Sequence, residues 1–462
     1  MITTPRIDKN ISVKKVASIT TQPQYPLLYW TTMAYIVGLP NFVHFDQTGR
    51  TANSINISSI SLVVHAVITG YVLVMMLLLD RRSIEVRKIR YDGGVWIGLL
   101  LVFILATVFE PTSRSVAPTT MALVLSLFRL SQWVIAFILI VALYSRTPTS
   151  RATGLVVELI GRSSWIWLAM VWIFLPIVPA QVYGGSDDGG PGEIRRLGGQ
   201  LIHPAHLAVL GSIAFFYALL FFRRGPRKWM ACLIALVTIF LTGARTQQAG
   251  FLLALFLFAI VLSRKPAMRW GIVGGTVLAL MLAVPFGGRL MQYVSRGQST
   301  QTLTSLDDRT RVWEASVEAI RERPILGYGY SVGARNAIRD HWTSSHWIPP
   351  HAHNEFIQAA LDGGVVALIL VLWIYGRVLW TSIGEAGRGP YQLFLAVISV
   401  QFGLGALTGG ELCYGFNKGT GGVLILCCVG VLAGATQKVT KHGMVRRATR
   451  PVLNSPLQGY SA

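Results

Sequence analysis

Three short polar clusters interrupt an otherwise apolar sequence, and each holds residue types that can act on a phosphate or a hydroxyl group. They are Arg195-Arg196-Leu197-Gly198-Gly199 followed by His203, the turn Thr242-Gly243-Ala244-Arg245, and His351-Ala352-His353-Asn354-Glu355. A guanidinium presents forked N–H donors that match phosphate oxygens. A neutral imidazole can take a proton from an attacking hydroxyl. Together these residue types indicate group transfer from a diphosphate, in which negative charge grows on the leaving group.

Arg245 is the most informative of these residues because it lies in a short turn between two long apolar runs. A cation at such a place is energetically unfavourable unless it faces water or an anion. The competing interpretation is an arginine that extends along its aliphatic stem to the membrane surface, and the sequence is equally compatible with it. Arg196, taken alone, is more typical of a solvated loop arginine.

His351 and His353 form an H-x-H pattern that is compatible with either a metal site or a helix terminus. A zinc site takes three or four ligands, and no cysteine or carboxylate lies at a convincing spacing. His353-Asn354 ahead of an apolar run also fits N-terminal capping of a helix. Two further imidazoles, His203 and His206, lie near the start of another apolar run. We therefore predict that the site uses no metal and no other cofactor.

The apolar runs that separate these clusters are long enough to cross a membrane. Of the 462 residues, 52% are hydrophobic and 13% are charged, whereas a soluble domain carries about a quarter charged residues. We predict an all-α polytopic membrane protein with about twelve transmembrane helices. The predicted spans lie near residues 26–44, 60–79, 95–110, 118–144, 163–180, 203–222, 228–243, 247–263, 270–286, 358–381, 390–408 and 421–436.

The net charge of +21 is distributed as the positive-inside rule requires. With both termini in the cytoplasm, 26 of the 41 lysines and arginines lie on the inner side and 14 on the outer side, and Arg129 lies within the fourth span. The inner loops at residues 81–90 and 223–228 are dense in basic residues. Membrane insertion therefore explains the basicity, and we predict no nucleic-acid partner.

This topology predicts one transmembrane domain, residues 26–437, between cytoplasmic tails at residues 1–25 and 438–462. It places all three polar clusters on the outer face, together with a large loop at residues 286–357 between the ninth and tenth spans. A loop of about seventy residues among short connections is usually functional. The topology therefore predicts an active site on the outer face of the membrane.

The large loop has helical features of its own. Ser305-Leu306-Asp307-Asp308 is typical of a helix start, with a capping hydroxyl followed by acidic residues. Trp313, Val317 and Ile320 follow at helical spacing and predict one apolar face. Pro324 should end this helix. We predict an amphipathic helix that lies on the membrane or over a cavity.

Four motifs, in their order and spacing, resemble those of one family. They are R-x-x-G…H-P-x-x-L-A at residues 196–208, T-G-A-R ending at Arg245, R-x-x-x-W…P-I-L-G-Y-G at residues 309–329, and H-N-E-F-I-Q…G-G-V-V-A-L at residues 353–368. Together they resemble the O-antigen ligase and polymerase superfamily, which includes exopolysaccharide polymerases. The resemblance covers residues 190–375 and extends to the topology, with its long outer loop before the last three spans.

The resemblance implies a metal-independent glycosyltransferase with a type C-like fold. Together with the topology, it implies a bacterial cytoplasmic (inner) membrane protein whose active site faces the periplasm. Its donor would be a glycan linked to undecaprenyl diphosphate in the lipid bilayer, and its acceptor would be a second glycan or lipid A-core. Other membrane proteins of polysaccharide assembly are further expected partners.

The resemblance also implies roles for individual residues. Arg196 and Arg245 would hold the diphosphate, and His353 would act as the base or position the acceptor. Ala244 stands where members of the family often carry serine. The other candidates for substrate binding are Arg195, Arg309, His351 and Asn354.

The sequence leaves more than one function open. We prefer a polymerase that joins O-antigen or exopolysaccharide repeat units, and the alternative is an O-antigen ligase that transfers a glycan to lipid A-core. A transporter of lipid-linked sugars is a second alternative, although transporters place charges in mid-membrane and pair broken helices in corresponding halves. A scaffold without activity would leave the cation of Arg245, in its short turn between two apolar runs, unexplained.

Overall fold

The computed structural model describes residues 26–37, 67, 71, 93–109, 119–147, 149–184, 195–199, 201–263, 265–283, 309–343, 349, 351–409 and 420–431. Several predictions fall on other residues: the two tails, the span at 60–79 except for residues 67 and 71, and the helix start at residues 305–308. The side chain of Arg129 is also outside what is described.

The described residues are mostly helical. The helices are α1 (Pro26–Val37), α2 (Gly93–Phe109), α3 (Thr119–Arg146), α4 (Thr149–Phe174), α5 (Pro179–Val182), α6 (Pro204–Phe221), α7 (Pro226–Leu241), α8 (Arg245–Leu262), α9 (Pro266–Ala283), α10 (Arg309–Glu322), α11 (Val332–Asp340), α12 (Glu355–Glu385), α13 (Pro390–Ala406) and α14 (Thr420–Val431). The strands of the described part, β1 (Tyr183–Gly184) and β2 (Arg196–Leu197), form one antiparallel pair.

Several of these helices are apolar enough to lie in a membrane. Four helical stretches have the length and composition to cross it: Arg151–Phe174, Pro204–Phe221, Arg245–Leu262 and Glu355–Arg388. Shorter apolar helices are Val95–Phe109, Trp133–Tyr144, Pro390–Ala406 and Thr420–Val431. For the described part of the chain, the all-α membrane class is confirmed, while the number of twelve spans stays a prediction.

Helix α4 begins earlier in the sequence than the span that was predicted for it. The predicted span was 163–180, but the helix runs over Thr149–Phe174. Its first half holds Glu158 and Arg162, which form an ion pair of 2.6 Å at i,i+4 spacing. Hydropathy marks only where a chain is apolar, whereas a helix can continue through charges that are paired along one face.

Polar side chains inside the bundle hold α8 against α13. Gln401 is fully buried, and its Nε2 donates to the carbonyl oxygen of Gln247 at 3.0 Å and to its Oε1 at 2.9 Å. Hydrogen bonds of this kind join helices where the surrounding medium is apolar. Gln247 lies two residues after Arg245, so its hydrogen bonds with Gln401 fix the start of α8 relative to the end of α13.

Helix α12 is broken near its beginning. Gly363 and Gly364 have non-helical backbone angles, and Gly364 has φ 67°. A Cβ atom on Gly364 would lie 1.9 Å from the carbonyl oxygen of Ile325, so only glycine fits at this contact. The chain after α10 therefore passes directly against the break.

Backbone hydrogen bonds join this passing segment to both sides of the break. They run from Tyr328 N to Leu361 O (2.7 Å), from Gly329 N to Asp362 O (3.1 Å) and from Val365 N to Pro324 O (2.8 Å). A break in a membrane helix frees backbone groups that must find partners inside the protein. The loop segment supplies these partners, so the loop and the start of α12 form one unit.

The predicted apolar face of the loop helix is wrong in its position. Helix α10 ends before Pro324 as predicted, but Val317 is 39% exposed, and Trp313 and Ile320 are only partly buried. The buried residues are Val312, Ala315, Ser316 and Ala319. They pack with Tyr328, Ala337, Ile338, Ala352 and Leu361. Small residues allow α10 to approach α11 and α12 closely, so the buried face follows the small side chains and not the large ones.

Candidate active site

Residues 351–354 form a tight turn ahead of α12. The backbone of His353 is in the left-handed region, with φ 52°. Its N–H donates to Nδ1 of His351 at 3.0 Å, and the two ring centroids are 4.0 Å apart. Because Nδ1 of His351 accepts this bond, the proton of a neutral His351 lies on Nε2.

Asn354 caps α12. Its Oδ1 accepts from the N–H groups of Phe356 (2.9 Å) and Ile357 (3.1 Å), and its Nδ2 donates to the carbonyl oxygen of Leu407 at 3.1 Å. These bonds are those of an N-cap residue. The capping interpretation that the sequence left open thus accounts for Asn354, and its bond to Leu407 brings the end of α13 to the histidine turn.

Two histidines that the sequence analysis noticed but did not assign to the site lie at the start of α6. His203 caps that helix, and its Nδ1 accepts from Ala205 N at 3.3 Å. The rings of His203 and His206 meet edge to face with centroids 5.5 Å apart. Nδ1 of His206 lies 3.0 Å from Oγ1 of Thr420, the first residue of α14. The H-P-x-H pattern at a helix start was the available sequence indication.

The four imidazoles share one electrostatic environment with Arg309, the first residue of α10. Burial, followed by the charge of Arg309, lowers the pKa of His353 to about 3. Burial, then His353, His203 and His206, lowers the pKa of His351 well below its ordinary value, with Arg309 as a further cause. Both residues are therefore neutral near pH 7 and able to accept a proton.

Arg196 joins the same environment from β2. Burial, followed by His206 and Arg196, lowers the pKa of His203 to about 3. His203 nevertheless keeps an exposed surface. A side chain that is surrounded by protein and still exposed lies on the wall of a concavity. Arg196 is held there by the pairing of β2 with β1, in which it lies opposite Gly184.

Arg245 lies at the same end of the bundle. It is the first residue of α8 and is partly exposed. Its turn is held by Gln248, whose Nε2 donates to the carbonyl oxygen of Ile239 at 3.3 Å. Gly405 of α13 lies close to Gln247 of α8, since a Cβ atom on Gly405 would be only 3.2 Å from Nε2 of Gln247. Asn354 binds the carbonyl oxygen of Leu407, the residue directly after α13, so α8 and the histidine turn meet the same end of α13.

The predicted site residues are thus only partly brought together. His351, His353, Arg309 and Arg196 belong to the group whose charges act on the imidazoles. Among the described residues, the main causes of these shifts do not include Arg245 or Arg195, and Arg195 is exposed ahead of β2. Arg309, whose role the sequence left open, acts on His353 more directly than Arg196 does.

The arrangement combines cations with neutral imidazoles in a concave region. Within the described ranges, no group of three or more His, Cys, Asp or Glu side chains has the arrangement of a metal site. Guanidinium groups attract and orient phosphate oxygens, and neutral imidazoles accept protons from hydroxyl groups. The site is therefore chemically suited to an anionic donor and a hydroxyl acceptor.

Comparison with known proteins finds relatives over part of the chain. An O-antigen ligase family model matches residues 230–372, which include the Arg245 turn, the large loop and the histidine turn. An O-antigen ligase of Pseudomonas aeruginosa is 26% identical over 165 residues, covering 36% of this chain and 36% of that protein. Putative polysaccharide ligases of Rickettsia felis and Rickettsia conorii are 24% and 25% identical, and cover 33% and 31% of this chain.

The matched regions span less than half the length of these relatives: 36% of the Pseudomonas protein, and 43% and 41% of the two Rickettsia proteins. The match nevertheless contains two of the three polar clusters from which the sequence analysis began. Over residues 230–372 the chain is therefore similar to the O-antigen ligase family, which supports the resemblance to the O-antigen ligase and polymerase superfamily that the sequence motifs indicated.

Proposed function

We propose that this protein transfers a glycan from undecaprenyl diphosphate to lipid A-core at the periplasmic face of a bacterial inner membrane. The observation that carries the proposal is the meeting of neutral His351 and His353 with the guanidinium of Arg309 at one end of an apolar helical bundle. Arg196 and His203 lie in the same environment. The family match supports a glycosyl-transfer enzyme.

Each group has a defined task in this reaction. Arg196, Arg245 and Arg309 hold the diphosphate and balance the charge that develops as it leaves. The acceptor oxygen forms a bond to the anomeric carbon while the bond from that carbon to the phosphate oxygen breaks. The hydroxyl proton passes to the imidazole of His353. The electron pair of the broken bond leaves with the lipid diphosphate.

The names of the matched family and relatives support a ligase over the polymerase that we preferred from the sequence. The two differ in acceptor, so their products differ. Deletion of the gene should leave lipopolysaccharide without attached O-antigen while the polymer still accumulates on its lipid carrier. Loss of polymer length, with single repeat units still attached to the core, would identify a polymerase instead. Accumulation of donor on the inner leaflet would identify a transporter.

The proposed topology has about twelve spans, with both termini in the cytoplasm. Reporter fusions should place residues 81–90 and 223–228 and the C-terminus inside, and residues 290–350 outside. The basis is the excess of basic residues on the inner side, 26 against 14 outside, with dense clusters in short inner loops. The proposed catalysis at the periplasmic face fails if a fusion within residues 290–350 reports the cytoplasm.

The proposed reaction needs no metal because arginines supply the positive charge that the leaving diphosphate requires. Purified protein in proteoliposomes should therefore keep its transfer activity in excess EDTA. The measurement is the rate of glycan transfer before and after chelation, with Mg²⁺ or Mn²⁺ added back afterwards. Activity that disappears with EDTA and returns with either ion would recast His351, His353 and Glu355 as metal ligands.

A further inference from the structure

The alanine between the two histidines has both of its backbone polar groups bonded by side chains from other parts of the chain. Its N–H donates to Oε1 of Gln358 at 2.9 Å. Its carbonyl oxygen accepts from Nε1 of Trp313, on α10, at 3.0 Å. Ala352 and Gln358 are 0% and 1% exposed, so the bond between them is shielded from water. Hydrogen bonds in such surroundings hold their geometry tightly.

These bonds act on a strained residue. The left-handed backbone of His353 costs roughly 1–3 kcal/mol for a residue other than glycine, and it persists only where the surroundings enforce it. The peptide unit before His353 is held at its oxygen by Trp313 and at its N–H by His351. The residue after it, Asn354, is fixed as the cap of α12. With both flanking segments fixed, the direction in which the His353 side chain leaves the backbone is also fixed.

Gln358 is itself held in place. Its Nε2 donates to Oδ1 of Asp362 at 2.9 Å, and the same oxygen accepts from the N–H of Ser331 at 3.1 Å. Asp362 is fully buried, and Ser331 has a left-handed backbone, with φ 65°. A continuous chain of hydrogen bonds thus runs from the loop segment, through the first two turns of α12, to the histidine turn.

We propose that Trp313 and Gln358 are positioning residues that hold the imidazole of His353 in its reactive orientation by clamping the peptide groups of Ala352. This inference rests on the proposed function, since it takes His353 as the group that accepts the proton. Neither side chain needs to touch substrate. Misplacement of a catalytic group by about 1 Å can lower a rate by about 10², so loss of either bond should act mainly on kcat.

The test uses substitutions that remove the bonds to Ala352 in the full-length protein in proteoliposomes. Trp313→Phe keeps an aromatic ring and removes only the N–H donor. Gln358→Met keeps the length of the side chain but removes both the acceptor for Ala352 and the donor to Asp362, whereas Gln358→Glu removes the donor to Asp362 and keeps an acceptor for Ala352. With an undecaprenyl-diphosphate-linked glycan and lipid A-core as substrates, we expect kcat to fall about tenfold to a hundredfold for Trp313→Phe and Gln358→Met. KM should change much less, and Gln358→Glu should retain more activity than Gln358→Met.

Tyr328→Phe is the matched control. It removes a hydroxyl that donates to the carbonyl oxygen of Ala319 at 2.9 Å and to Oε2 of Glu322 at 3.2 Å, so the bonds that are lost run to α10 and not to the histidine turn. Tyr328→Phe should lower the stability of the protein about as much as Trp313→Phe does, while its kcat changes less than about threefold. Equal losses of kcat in Tyr328→Phe and Trp313→Phe would show that any weakening of the loop suffices, which overturns the proposal.

A double substitution separates this inference from the proposed function. If Trp313 acts through His353, Trp313→Phe should have no further effect in a His353→Ala background. A full additional loss there would overturn the inference. If His353→Ala inactivates the protein while Trp313→Phe, at normal membrane amounts, keeps its kcat, the inference fails and the proposed function stands. If His353→Ala leaves transfer intact, the role of His353 as the base in the proposed function fails, and this inference fails with it. Trp313→Phe decides the question even where Gln358 variants do not reach the membrane.

Discussion

His353→Ala is expected to lower the rate of glycan transfer by a factor of about 10²–10⁴, with normal amounts of protein in the membrane. A sugar hydroxyl is a poor nucleophile near neutral pH, and general-base assistance contributes a factor of this size. The imidazole is neutral and lies in the same environment as Arg309. The measurement is transfer by purified protein in proteoliposomes, with membrane content checked by immunoblot.

His351→Ala is the comparison for this prediction and should be milder. His351 accepts the N–H of His353 and so supports its backbone, but it is not the proposed base. The roles would be reversed if His351→Ala were inactive and His353→Ala nearly normal. Full activity in both variants would show that neither histidine of this turn acts as the general base.

The pH dependence of the same reaction follows from the lowered pKa of His353. Burial and Arg309 bring it from the ordinary value of 6.5 to about 3. Because the pKa is lowered, the imidazole stays neutral as the pH falls and becomes protonated only near the lower value. The profile of kcat/KM reports the free enzyme. It should therefore be flat from about pH 5 to pH 7, and an inflection near 6.5 would contradict the assignment.

The second large effect is expected from Arg196→Lys and Arg245→Lys, each of which should lower turnover by orders of magnitude. Lysine keeps the charge but lacks the planar fork that contacts two phosphate oxygens at once. Loss of one such contact to a developing charge lowers kcat by a factor of about 10²–10³. Turnover with saturating donor is the quantity to measure, because the contact strengthens as the diphosphate leaves.

Arg321→Lys provides the control for these substitutions. Arg321 pairs with Glu318 at 2.6 Å on α10, and both side chains are more than half exposed. Exposed pairs contribute little to stability, so this variant should behave as the unchanged protein. Full activity in both Arg196→Lys and Arg245→Lys would indicate that these arginines serve the structure or reach the membrane surface. Arg309→Lys should be tested beside them, since Arg309 is the cation that acts most directly on His353.

The sequence predicted the membrane class and the approximate helices because apolar composition alone decides which segments enter a bilayer. Helix α8 begins at Arg245, the last residue of the predicted turn, and α10 ends before Pro324 as the missing N–H of proline requires. The start of α4 was missed because paired charges can extend a helix beyond its apolar part. The buried face of α10 was missed because large apolar residues were expected to be buried, whereas close packing selected small ones.

The site was predicted in its residue types and less well in its grouping. Arg196, Arg309, His351 and His353 come together in the structure, but the contribution of α6 through His203 depends on how three distant segments pack. The two side-chain hydrogen bonds to the backbone of Ala352 could not be predicted from the sequence either, because Trp313 and Ala352 are 39 residues apart. Local motifs indicate which residues can react, and tertiary packing decides which of them lie close together.

The segment at residues 324–331 bears on how substrates enter. To swing away as a gate, it would have to break the three backbone bonds across the break in α12, the bond from Ser331 N to Asp362 and the bond from Tyr330 N to Oγ1 of Thr107. At about 1 kcal/mol for each bond, the swung-out form would lie about 5 kcal/mol higher, which corresponds to about one molecule in several thousand. This part of the loop is therefore a fixed wall, and donor and acceptor must reach the imidazoles by a route that leaves it in place.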